Sequence, residues 1–150
     1  MAMAKRFVAY GELYKAGKEI GRSGLNIPLD SLDGIIESSP GKVPVMKGYL
    51  GKDLGPDKVI GHAELKVEGD GIFAKIVFNE KWRKVYESAL QSGKLRKYNR
   101  LGFMMRHITV DADSKEVRNG TITYLTLMRD ALGGEIDKFG WEDSNEESSK

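Results

Sequence analysis

The sequence predicts an α+β domain built on a mostly antiparallel β-sheet or barrel with two principal helices. Three observations carry this expectation. Ala63, Leu65 and Val67 alternate with Glu64, Lys66 and Glu68, the period-two pattern of a strand with one wet face. Trp82, Val85, Tyr86, Ala89 and Leu90 recur at helical spacing. The segment order is strand, helix, several strands, helix, then strands, which separates helices from strand runs instead of alternating them.

The elements follow in order. Lys5 to Lys15 (KRFVAYGELYK) is β-leaning, and Lys15 to Gly24, with three glycines and mixed charge, reads as a loop or bent edge. Pro28-Leu29-Asp30 opens a short helix carrying Leu29, Leu32, Ile35 and Ile36, and Ser38-Ser39-Pro40-Gly41 stops it. Asp30 and Asp33 suit the positive end of that helix. Val43 to Tyr49 is a short strand and Gly51 to Asp57 a loop. Val59 to Glu68 and Ile72 to Phe78 form a hairpin across Gly69-Asp70-Gly71. Glu80 to Ser92 is the clearest helix, with Asn79 as N-cap and Gly93 past its end. Lys94 to Asn99 is a loop leading to a strand from Arg100 to Val110. Asn119-Gly120 is a hairpin signal, and Thr121 to Met128 is expected as the last strand. Residues 1–140 are read as one domain and 141–150 as an acidic flexible tail.

Composition narrows the function classes. The chain has 150 residues, a formal net charge of +2 and no cysteine. Thiol catalysis, disulfides and thiolate metal sites are excluded. No apolar run approaches a membrane span of roughly 18–20 residues, and no secretory leader is evident. The net charge is too small to argue for nucleic acid by itself.

Candidate chemistry is sparse. His62 and His107 are the only histidines. Each reads as a general base or as an ordinary rim histidine. No serine sits in a Gly-x-Ser-x-Gly elbow, and spacing alone pairs none with a histidine. Lys94, Arg96, Lys97, Arg100 and Arg106 form a basic cluster interleaved with Tyr98 and Phe103, readable as a nucleic-acid or acidic-protein contact or as a solvated loop.

The order of short segments carries a resemblance. It runs through Tyr10-Gly11, Ile27-Pro28-Leu29, Val43-Pro44-Val45-Met46, Val59-Ile60-Gly61-His62 and Gly69-Asp70-Gly71-Ile72-Phe73. It continues through Gln91-Ser92-Gly93-Lys94-Leu95, Arg100-Leu101-Gly102-Phe103 and Leu125-Thr126-Leu127-Met128. Over roughly Phe7 to Ala131 the chain resembles the prohead (capsid maturation) proteases of tailed phages, which share the herpesvirus assemblin fold.

The resemblance implies a serine nucleophile directly before the Leu-Gly-Phe run, a histidine base after the Pro-Val strand, and a polar third member on the last strand. Those places fall on Arg100 (or Asn99), near Tyr49, and near Arg129. A guanidinium stays protonated and cannot attack a carbonyl, and tyrosine, with a pKa of about 10, is a poor base near neutrality.

The expectation is therefore a non-enzymatic phage capsid auxiliary protein of the decoration or cement type. It would need no metal or other cofactor. Its partners would be the major capsid protein or other head proteins, or further copies of itself, with no membrane and no nucleic acid. It would reside in the virion, and in the host cytoplasm during assembly. The rival expectation is an active maturation endopeptidase using His62 or His107 with a serine such as Ser92. A third is a nucleic-acid-binding accessory protein.

Overall fold

The computed structural model describes residues 5–47, 59–91, 100–128 and 134–143. Strand β1 (Lys5–Lys15) is followed by a 3₁₀ turn (Leu29–Ser31) and helix α1 (Leu32–Ser38). Then come β2 (Val43–Lys47), β3 (Val59–Glu68), β4 (Gly71–Phe78) and helix α2 (Glu80–Gln91). Strands β5 (Arg100–Asp111), β6 (Glu116–Met128) and β7 (Gly134–Asp143) complete the described chain.

The strands neighbour one another in the order β1-β4-β3-β2-β6-β5-β7, and β7 lies along β1 from Lys5↔Asp143 to Glu12↔Glu135. This corrects the predicted mostly antiparallel sheet or barrel with two principal helices. The sheet is mixed, because β2 runs parallel to β6 through Val45↔Leu125, Met46↔Thr126 and Lys47↔Leu127. The ring is also not evenly closed. Among the described residues β7 meets β5 only at Arg100↔Glu135 and Leu101↔Gly134, so the sheet is open along that seam and is not a barrel. Both helices are short and serve as end covers for a molecule made mainly of strands. The physical reason is that a period-two pattern fixes which face of a strand is wet but not which strand lies beside it.

Two further expectations are corrected. Met128 does not end the last strand, since β7 follows. Its sequence, GEIDKFGWED, has acidic and glycine residues that mask its pattern, and pairing with β1 supplies the order. The turn after β5 is not at Asn119-Gly120, which lie inside β6. It is made instead by Asp111, whose carboxylate accepts from the Asp113 and Ser114 N–H groups at 3.0 and 3.2 Å. Lys115 then adopts φ 61 and donates its N–H to the Asp111 carbonyl at 2.8 Å. Gly120 lies under Met105: a Cβ there would meet Met105 Cε at 2.5 Å and displace the end of that flexible side chain.

The core lies inside the ring. Phe7, Leu13, Ile27, Leu32, Ile35, Ile60, Ile72, Ile76, Leu101, Ile122, Leu125 and Leu127 are fully buried. At one end α2 inserts Tyr86, which stacks on Phe78 at 4.8 Å, while Phe78 touches Phe7 at 5.6 Å. The remaining described face of α2 is wetter, and Val85 is exposed. Asn79 opens this helix with its carbonyl, but its side-chain amide donates to the Val59 carbonyl at 3.1 Å and so ties the helix to β3. At the other end α1 inserts Leu32 and Ile35. Strands β3 and β4 approach closely at Gly61, where any Cβ would overlap the Val77 carbonyl oxygen.

Candidate functional site

The Leu-Gly-Phe frame at the start of β5 is built for packing. Leu101 is fully buried, and Phe103 sets its ring edge against Tyr14 with centroids 6.0 Å apart at 79°. Gly102 falls between them, in register with Thr126. Alternation along a strand turns Leu101 and Phe103 to one side and Gly102 to the other. Arg100, the matched nucleophile place, is the first residue of β5. Its register neighbours are Met128 of β6 and Glu135 of β7. Tyr49 and Arg129, the other two matched places, lie outside the described residues, as do Ser92, Lys94, Arg96 and Lys97.

The two histidines are not brought together. His62 is half-buried on β3, opposite Pro44 of β2 and Val77 of β4. His107 is exposed on β5 with φ 56, and β2 and β6 stand between the two strands. Of the basic cluster, Arg100 and Arg106 are on β5, about 20 Å apart at the rise of an extended chain. Arg106 is exposed.

Two serines have structural partners that no sequence spacing suggests. The Ser38 hydroxyl lies 2.5 Å from the Gly120 carbonyl oxygen, to which it donates. The Ser39 hydroxyl donates to the Ile35 carbonyl at 2.7 Å and accepts from the Ile122 N–H at 2.9 Å. They fasten α1 to β6.

The described surface also holds a recess of about 440 Å³ over β1, β4 and β3, lined among others by Tyr10, Glu64, Lys66, Glu68, Phe73 and Lys75. Register explains its make-up. Tyr10, Lys75 and Glu64 form one cross-strand row, and Glu12, Phe73 and Lys66 the next. Two aromatic rings and charges of both signs suit a contact surface. The rows pair no hydroxyl with an imidazole, as a nucleophilic mechanism would need. The alternation of residues 63–68 marked the wet face in the sequence; nothing there marked Tyr10 as its neighbour.

Among the described residues, no group of three or more His, Asp or Glu side chains could hold a metal ion. Also among them, no helix is long and apolar enough to cross a membrane. No protein-family model matches the chain, and no curated protein matches it.

Proposed function

We propose that this protein is a non-enzymatic auxiliary protein of a phage head, of the decoration or cement type, bound to the major capsid protein or another head protein. The observation that carries the reading is Arg100. It opens β5 directly before Leu101-Gly102-Phe103, where the sequence resemblance to prohead proteases calls for a serine. A guanidinium has no lone pair to offer a carbonyl carbon and remains charged at every physiological pH. The frame residues Leu101 and Phe103 have packing roles that do not depend on a nucleophile, so the strand can be kept for shape alone. On this reading the protein resides on the shell, and in the host cytoplasm while heads assemble.

The test is direct. Incubation of the full chain with its major capsid protein or scaffold should yield no cleavage, and the chain should co-sediment with assembled heads. Cleavage abolished by Ser92→Ala, His62→Ala or His107→Ala would restore the endopeptidase reading. Failure to associate with heads, together with nucleic-acid binding that weakens steeply with salt, would favour the accessory nucleic-acid reading.

A further inference from the structure

The apolar residues of β5 change phase partway along the strand. Leu101, Phe103 and Met105 occupy alternate positions and pack in or against the core. The next apolar residues are Ile108 and Val110, which an uninterrupted strand would turn to the opposite face. The strand is interrupted. Its register with β6 shifts between Arg106↔Thr121 and Thr109↔Asn119, and His107 takes a positive φ within the shift. A bulge of this kind adds one residue and resets the alternation.

Ile108 thereby joins Met105 over Gly120, where a Cβ would meet Met105 Cε at 2.5 Å and Ile108 Cγ1 at 3.6 Å. Val110 pairs with the fully buried Val117. The core stripe of β5 therefore continues outward, yet Ile108 is 42% and Val110 37% exposed.

Two independent features say what fits there. First, among the described residues no strand pairs with the second edge of β5 beyond Leu101, and Arg106 to Val110 are all exposed. An unpaired strand edge is a template for an added strand. Second, Gly102 to Val110 contains Arg106, which is exposed, and no Asp or Glu. Three of the carboxylates beyond the far end of the strip are engaged, and Asp113 is exposed in the turn. Asp111 holds its turn, and Glu116 and Asp30 face Arg118 at 2.6 and 3.5 Å.

We propose that the free edge of β5, Gly102 to Val110, is a docking strip that takes an extended, acidic segment of a partner protein as an added strand. The partner's apolar side chains cover Ile108 and Val110, and its carboxylates face Arg106. A second copy of this edge is a poor occupant, because antiparallel pairing of Gly102–Val110 with itself would set Arg106 against Arg106. A nucleic-acid strand is a poor occupant too. Ile108 and Val110 offer no stacking platform, and Phe103 is engaged with Tyr14. The inference holds whether or not the partner is a head protein.

The experiment uses the full chain and three labelled probes: an eleven-residue peptide of alternating glutamate and valine, the same peptide with lysine for glutamate, and oligo-dT. The glutamate peptide should bind, lose affinity as salt rises, and slow amide exchange within residues 102–110. Ile108→Glu and Arg106→Glu, both at exposed positions, should each weaken it at least about tenfold with the thermal midpoint unchanged. The proposal is overturned by absent binding, by equal binding of the lysine peptide, or by protection confined to other strands. It is equally overturned if both variants bind as the parent does, or if oligo-dT displaces the peptide.

Discussion

Tyr14 shows how much one side chain can carry. Its ring edge meets Phe103, its hydroxyl accepts from the Ile27 N–H at 2.8 Å, and it donates to the Lys18 carbonyl. It therefore fixes the chain after β1 to the core stripe of β5. Tyr14→Phe keeps the ring and strands the buried Ile27 N–H, which should cost about 1–3 kcal/mol in urea unfolding. The same residue sets an alkaline limit. Burial pushes the Tyr14 phenol above its ordinary value, against the lowering effect of the hydrogen bond it accepts from the Ile27 N–H. The folded state thus holds this proton more tightly than the unfolded state. Its contribution is complete below about pH 10 and declines as pH rises through the folded value. Unfolding curves between pH 8 and 11 should show that decline in the parent and a smaller one in Tyr14→Phe. Equal slopes would remove Tyr14 as the cause. The sequence marked Tyr14 only as a strand residue; its bond to Ile27 bridges a loop that no periodicity crosses.

At the scale of the element, α1 is too short to hold itself. Its 7 residues form few internal hydrogen bonds, and helices of this length are marginal in isolation. Leu32 and Ile35 bury its inner face, and Ser38 and Ser39 bind its end to β6. Ser39→Ala removes the acceptor of the Ile122 N–H and should lower stability by about 1–2 kcal/mol. It should also speed hydrogen exchange at Ile122 more than at residues of β4. Unchanged exchange at Ile122 would show that the bond does not anchor the helix. The helix stop at Ser38-Ser39-Pro40-Gly41 was legible, since Pro40 keeps the residue before it out of the helical region. The tie was not, because its partner lies 83 residues further along the chain. The turn at Asp111 was hidden for a related reason. Asn119-Gly120 is the stronger local hairpin signal, but Gly120 lies inside β6 under Met105 and the Asp111 carboxylate makes the turn.

For the whole molecule, the decisive feature is how the strand ring is joined. β2 reaches β6 in parallel, and β7 covers the outer edge of β1. Deleting residues 134–150 would uncover that edge along Lys5 to Glu12. An exposed, apolar-backed strand edge invites pairing between copies. The shortened chain should self-associate in sedimentation velocity at concentrations where the full chain does not. A shortened chain that stays as dispersed as the full one would mean that β7 does not protect the edge. The same architecture gives β5 its open side, since among the described residues β7 meets it only at Arg100 and Leu101.

The sequence by itself determined the strands with clean alternation, the Glu80–Gln91 helix, the absence of thiol chemistry, and the arginine before Leu101-Gly102-Phe103. These depend on residue type and on periods of two or 3.6, which are local properties. Only the tertiary structure decided the parallel β2–β6 pairing, the ordering of β7, the separation of His62 from His107, and the bulge that carries Ile108 and Val110 back onto the apolar face of β5. Each depends on which distant segment supplies a hydrogen-bonding edge or covers a side chain, and chain spacing carries no record of that choice.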